Sequence, residues 1–466
     1  MLDISHQSKS VPGGMGVSRS YKEIVEYLDA LPVREYGPQS LERMKALDAA
    51  CSNASQGLRT ILVAGTNGKS TTINFMSKLF EEEGLGATLI YSSHIMVYNE
   101  RLVVGKKRIT NKEFTQLLND IIAVATLHNI AATSAELMTM AGIVYAQRKG
   151  AEVAVFEVGL GGRFDPTALC KACIIGLTRV GDDATGVLGD SLDQVCDELM
   201  TVVQPGAWFA SSEQSKIRLQ HMKSLADTAG ARWSMPIRKL APLPYVYEQL
   251  YGRIASLSER LVQLYVEEIT KKFSPFLRGN LHATQKGQRG RPTLSAKRNH
   301  VPHQVKPLKT FWAESCALLR GRFEVLRQER PTMLLDNASN VDAFLNLFLG
   351  IRLLHYDRAI KGFVLIIAVA RSLDVIQVLK HIRYLLKKVP GKVFFVPHAG
   401  DDTYFSPEEL VAHARKLHIS ARGFHQISDA IKAAKSFVDE RDGLVAISGS
   451  EKQITAYWRD RGACLV

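Results

Sequence analysis

The chain has 466 residues, 46% of them apolar and 23% charged, which excludes a disordered polymer and exceeds what one ordinary core can hold. No apolar run approaches the roughly 20 residues that span a bilayer, and the polar first twenty residues lack a signal-peptide core. A net charge of +13 raises nucleic acid as a partner, but ten lysines and arginines, with no acid among them, lie between Lys271 and Lys309. A locally basic stretch of that kind reads as a solvated insertion, so the expectation is a cytoplasmic protein without membrane or nucleic-acid partners. A monomer is expected.

Taken in order, residues 1–19 read as a flexible tail. From Tyr21 to Ile237, helical and strand patterns alternate, as in a parallel sheet flanked by helices. Leu58–Ala64 is a short apolar strand, Thr71–Glu83 has helical apolar spacing, and Thr88–Ser92 is strand-like. Thr110 and Glu113 have the spacing of a capping box that opens a helix over Asn111–Leu127. Ala135–Lys149 is a further helix stopped by Gly150. Val153–Val158 and Cys173–Leu177 are continuous apolar runs, the pattern of strands buried on both faces. Cys170 and Cys173 form a CxxC without a second ligand pair, so they are read as small buried side chains rather than a zinc site.

Residues 271–309 form the basic insertion, poor in periodic apolar residues and expected to be mobile. A second series follows, with strands at Thr332–Leu335, Gly362–Ala368, Lys392–Val396 and Leu444–Ser448. Helices at Asp374–Leu385, Pro407–Lys416 and Ser428–Val438 separate them. The expected organisation is therefore a nucleotide-binding domain over 20–270 and a smaller doubly wound α/β domain over 310–466.

The chemistry concentrates at Gly65, Thr66, Asn67, Gly68, Lys69, Ser70 and Thr71, a glycine-rich turn between a strand and a helix. Such a turn lets backbone N–H groups converge on phosphate, and the helix N-terminus adds partial positive charge. Lys69 is expected on the outer phosphates of ATP, with a hydroxyl from Ser70 or Thr71 on Mg²⁺. Glu157 closes an apolar strand, where ligands bind in parallel sheets, and its carboxylate suits a hard cation. Ser92 and His94 close the neighbouring strand; a histidine there is more often a hydrogen-bond partner than a catalyst.

These segments resemble the folylpolyglutamate synthase/dihydrofolate synthase family of the Mur-ligase superfamily. The likeness is carried by Leu62–Lys69, by Ser92-Ser93-His94 with Asn99-Glu100-Arg101, and by Glu157–Asp165. Asp183-Ala184-Thr185, Leu188-Gly189, Gly321-Arg322 and Asp336–Asn340 continue it in the same order. The resemblance implies a Mur-ligase-like α/β fold in which a parallel-sheet P-loop ATPase domain precedes the smaller one. It also implies ATP and Mg²⁺, with a pteroate or folate as the acid and glutamate as the amine. Phosphorylation of the carboxylate would precede amide formation. Ser92 and Glu157 would hold the metal, Arg322 would approach the phosphates, and Asp336 would place the nucleotide or the amine.

Four departures from the family pattern accompany that match. Ala184 stands where the family has a metal-binding histidine, and Leu199 where it has a carbamylated lysine. Ile254, Ala255 and Ser258 replace the base-side signature, and Ser339 replaces a histidine. One metal site is thus expected intact and a second lost. Two alternatives stay open at this point: a non-catalytic homologue that binds nucleotide, and a related ligase that joins another acid and amino acid.

Overall fold

The computed structural model describes residues 18–181, 187–235, 241–272, 308–316, 319–398 and 402–463. Among them, two sheets divide the chain. The first contains β1 (Thr60–Ala64), β2 (Ala87–Ile90), β3 (Leu102–Val104), β4 (Lys107–Arg108), β5 (Val153–Glu157), β6 (Ala172–Leu177), β7 (Trp208–Ser211) and β8 (Arg232–Trp233), in the order β4-β3-β2-β5-β1-β6-β7-β8. The β2-to-β8 run is parallel, and β3 and β4 close one edge antiparallel.

β1 is central and wholly buried, with β5 on one side and β6 on the other. Its side chains alternate between two cores, as a strand requires. Ile61 and Val63 face the core shared with α3 (Lys69–Glu82) and α8 (Tyr245–Leu264), while Leu62 and Ala64 face that of α4 (Asn111–Leu127) and α5 (Ser134–Arg148). This two-sided burial explains why β5 and β6 read as unbroken apolar runs. The capping box at Thr110 and Glu113 forms, and so does one at Thr133 and Glu136. The remaining helices of this half are α1 (Tyr21–Ala30), α2 (Pro38–Ala50), α6 (Leu192–Met200) and α7 (Lys216–Thr228). Cys170 is buried, and the Cys173 thiol donates to the Thr60 carbonyl at 3.2 Å; neither is in a disulfide.

After α9 (Leu308–Cys316), the second sheet contains β9 (Glu324–Leu326), β10 (Thr332–Leu335), β11 (Phe363–Ile367), β12 (Gly391–Phe395), β13 (Ala421–Gly423) and β14 (Leu444–Ser448), in the order β13-β12-β11-β14-β10-β9. Only β9 pairs antiparallel within it. Its helices are α10 (Val341–Asp357), α11 (Val375–Lys388), α12 (Pro407–Lys416), α13 (Ile427–Phe437) and α14 (Glu451–Asp460). The strands expected from the sequence are present with ends shifted by a residue or two. The expected basic insertion falls mainly on residues 273–307, outside the described ones.

The two sheets share one apolar core. α8 packs on α3 and on α10, and a single cluster runs from Ile61 through Trp312, Phe323 and Phe344 to Leu365. Trp312 meets Phe75 edge to face at 5.1 Å. Fully burying a side chain of this size contributes roughly 1.5–3 kcal/mol, so this core holds the two halves face to face across a cleft. Among the described residues, no helix is long and apolar enough to cross a membrane.

Candidate active site

The carboxyl ends of β1, β2 and β5 converge, and each delivers a polar side chain from an apolar strand. β1 turns at Gly65–Gly68, and Gly68 caps α3 with φ +91°, a conformation that a side chain disfavours. Lys69, the first residue of α3, folds its ammonium back over the turn, donating to the carbonyls of Gly65 at 2.7 Å and Thr66 at 3.3 Å. The turn is fastened to the segment after β6: the Thr66 amide donates to the Arg179 carbonyl, and the Gly181 amide donates to Thr66 Oγ1, both at 2.9 Å.

Glu157 ends β5 and is only 6% exposed. Its Oε1 accepts from the Ser70 hydroxyl at 2.7 Å, and its Oε2 accepts from the Ser92 amide at 3.2 Å. Ser70, rather than Thr71, is thus the hydroxyl tied to the carboxylate, while Thr71 also lines the cleft. Two residues after Ser92, the half-buried His94 accepts from Arg101 Nε at 2.9 Å; desolvation and the arginine's charge push its pKa down to about 3. His94 is therefore a neutral acceptor.

The second half closes the opposite wall. Arg322 and Asp336 face the phosphate turn across the same cleft, whose lining also includes Asn340, Asp342 and Glu451. Asp336 is 8% exposed, and both carboxylate oxygens accept backbone amides, Phe323 at 2.8 Å and Ala338 at 2.9 Å. Burial raises its pKa to about 6, against the opposing effect of those amides and of Arg322. Its direct bonds therefore shape the turn that carries Arg322.

Three links across the cleft are not legible in the sequence. Asn67 and Asn340 exchange side-chain amide bonds at 3.1 Å, and Asn67 Nδ2 also donates to Asp342 Oδ2 at 2.9 Å. Asp342 in turn pairs with Arg179 at 2.7 Å. Asn340 lies in the Asp336–Asn340 stretch that carries part of the family resemblance, but nothing local marks Arg179 or Asp342.

The departures sort by where they point. Ile254 lines the cleft beside Leu250 and Tyr251, as does Ser339. Ala255 is buried, and the Ser258 hydroxyl donates to the Thr72 carbonyl at 3.0 Å, so these two serve the α3–α8 packing. Leu199 is 3% exposed and packs among Val195, Cys196 and Met200. The adjacent Glu198 takes the Tyr36 hydroxyl and pairs with Arg163 at 3.1 Å. Ala184, with the rest of Asp183-Ala184-Thr185, lies outside the described residues.

A divalent ion can be tested against this donor set. Among the described residues, no three His, Cys, Asp or Glu side chains cluster as a self-sufficient cage. One carboxylate with a hydroxyl at 2.7 Å does fit Mg²⁺, which keeps waters and takes phosphate oxygens beside one or two protein ligands.

No protein-family model matches the chain. It is 26% identical over 313 residues to a dihydrofolate synthase/folylpolyglutamate synthase of Bacillus subtilis, covering 64% of this chain and 69% of that one. It is 28% identical over 263 residues to a folylpolyglutamate synthase of Lacticaseibacillus casei, covering 53% of this chain and 60% of that one. In fold it is similar to the bifunctional folylpolyglutamate synthase/dihydrofolate synthase of Yersinia pestis, solved with AMPPNP and a manganese ion. The TM-score is 0.71 at 20% identity, over 96% of this chain and 99% of that one.

Proposed function

We propose that this chain, which belongs to the folylpolyglutamate synthase/dihydrofolate synthase family, is an ATP-dependent ligase that joins glutamate to dihydropteroate or a folate. The observation that carries the reading is one cleft in which Lys69, the Ser70–Glu157 pair and Arg322 face each other from two sheets. Chemistry on a phosphoryl group asks a protein mainly for positioning and for charge placed where charge develops.

The steps follow from the residues present. The phosphate turn and Lys69 receive the β- and γ-phosphates at the N-terminus of α3. An oxygen of the acid's carboxylate attacks the γ-phosphorus, the P–O bond to ADP breaks, and an acyl phosphate remains. Arg322, held by the Asp336 turn, approaches the transferring group from the second half. The glutamate amine then attacks the acyl carbon, inorganic phosphate leaves with the bonding pair, and the amine gives up a proton. Glu157, Ser70 and Ser92 would hold one Mg²⁺, which would neutralise phosphate charge. Leu199, sealed in apolar packing, supports a single protein-held ion. The contacts from Asn67 and Arg179 to Asn340 and Asp342 keep the halves closed, which shields an acyl phosphate from water.

We read the protein as a cytoplasmic monomer whose partners are these small molecules. The test is ADP release and incorporation of labelled glutamate with dihydropteroate, ATP and Mg²⁺, for wild type and Lys69→Ala. The expected result is turnover that requires both acid and glutamate and falls about 10²–10³-fold in the variant, with an unchanged melting temperature. ADP release indifferent to the acid and to glutamate would reject the ligase reading.

A further inference from the structure

The segment between β2 and β3 takes part in both halves of the molecule. It starts at Ser92, whose amide sits on Glu157, and returns to the first sheet through the turn Tyr98–Arg101. Between these points Ile95 is 6% exposed and lies in the core on one face of the second sheet, with Leu326, Leu335, Ile447, Ile454 and Tyr457. Among the described residues it is the one buried member of that cluster that comes from the first half, and Met96 packs beside it.

The backbone of this peg arrives with partners. The amides of Ile95 and Met96 donate to the Glu100 carboxylate at 2.8 and 3.3 Å, and Arg108 pairs with the same carboxylate at 3.5 Å. The Ile95 carbonyl is served from the second half, by the Thr455 hydroxyl. Peptide groups that are already bonded can enter an apolar core without the cost of stranding them.

The side chain rests on Gly321. That residue has φ +60°, and a Cβ on it would lie 2.4 Å from Ile95 Cδ1 and 3.1 Å from Ile454 Cδ1, so Ile95 fills the space a side chain would need. Gly321 is fixed in its own turn: its amide donates to Glu324 at 2.8 Å, and its carbonyl accepts the Asn337 amide at 2.9 Å. The next residue is Arg322, which faces the phosphate turn, whereas Ile95 does not line the cleft. One apolar contact outside the cleft thus joins two functional groups. Ser92 lies three residues before it in one half, and Arg322 one residue after it in the other. The polar links from Asn67 and Arg179 can trade partners with water, but a methyl group wedged on a glycine has no such alternative. Close-packed interiors transmit strain, so a shift on one side of the contact is passed to the other.

We propose that Ile95 is a positioning residue for phosphoryl transfer, a peg whose seat on Gly321 sets the Ser92 loop and Arg322 in register across the cleft. The kinetic consequence rests on the ligase reading; the placement of the Ser92 loop does not.

The experiment has a kinetic arm and an exchange arm. In steady state with dihydropteroate, glutamate and ATP, Ile95→Ala should lower kcat about 10- to 100-fold and change KM for ATP less than about twofold. Ile95→Leu, which keeps the volume, should retain most of the activity. Gly321→Ala drives a Cβ into Cδ1 and should lower kcat by a similar factor. Ile95→Val deletes that Cδ1 and leaves Cγ1 3.6 Å away. The double variant should therefore turn over about threefold or more faster than Gly321→Ala alone, and effects that simply multiply would overturn the proposal. The exchange arm uses nucleotide-free protein well below its melting temperature. There the Ser92 amide should exchange about tenfold or more faster in Ile95→Ala than in wild type, with the amides of β1 unchanged. An Ile95 that only fills the core would lower the melting temperature and leave kcat and Ser92 exchange at wild-type values, which also overturns the proposal. If wild type turned over no acid, the ligase reading would fall, and the exchange arm would still decide this one.

Discussion

The carboxyl end of β5 and the C-terminal end of α6 stand where the family resemblance implies metal ligands, one expected kept as Glu157 and the other expected lost at Leu199, and the structure builds them in opposite ways. Glu157 is buried among donors, with the Ser70 hydroxyl and the Ser92 amide already on its oxygens and Lys69 across the turn. Leu199 is buried among Val195, Cys196 and Met200, and its neighbour Glu198 is spent on Tyr36 and Arg163. Equal burial therefore means different things. A cation needs hard oxygens that it can reach without stripping an apolar wall, and only the first region supplies them. The second has become wall.

Placing an amine at the second region should break the comparison most visibly. Leu199→Lys would bury an ammonium among aliphatic side chains, and it should cost about 3–5 kcal/mol of stability without raising turnover. Urea unfolding and Mg²⁺-dependent ADP release measure both; a stable variant with enhanced Mg²⁺ affinity would show that the second region can still take an ion. Glu157→Gln attacks the first region. Turnover should fall about 10²-fold, with half-saturating Mg²⁺ shifted upward, and a variant as active as wild type would remove Glu157 from the metal site.

Protonation sharpens the same contrast. His94 beside Ser92 has a folded-state pKa of about 3, below its unfolded value of about 6.5. Protons therefore bind the unfolded chain more tightly. The stability this neutral histidine provides is complete above pH 6.5 and is lost as the pH falls toward 3, by up to about 1.4 kcal/mol per pH unit. Relative to His94→Gln, wild type should lose melting temperature between pH 6.5 and 4.5; parallel curves would mean that the ring is protonated in the folded state. The smallest effect is expected for Ala184→His, which restores one ligand of a site whose other side is Leu199. Turnover should change less than about twofold, and a tenfold gain at equal Mg²⁺ would contradict the single-ion reading.

How legible each part was depends on the range of the interactions that specify it. The phosphate turn lies between an apolar strand and a helix, and its neighbours in sequence are its neighbours in space. Thr110 and Glu113 cap a helix three residues apart. By contrast, Asn67 meets Asn340 across 273 residues, and Arg34 presses on Gly159 from a loop whose local pattern has no period. α10 is a helix that the sequence reading does not include, although Phe344, Leu347, Phe348 and Ile351 mark its buried face. Ala255 and Ser258 stand where a base-side signature was expected, and packing turns them toward α3 instead.

The sequence by itself determined the α/β class, the strand–turn–helix around Lys69, and the identity of Glu157 as a carboxylate at a strand end. Periodicity, turn chemistry and short spacing are local, and they survive in one dimension. Tertiary structure alone decided that Ser70 is the hydroxyl on Glu157 and that Asp336 spends its oxygens on backbone amides. Each of those depends on which donors and charges the packing of distant segments leaves without partners, a balance that exists only once the chain has closed on itself.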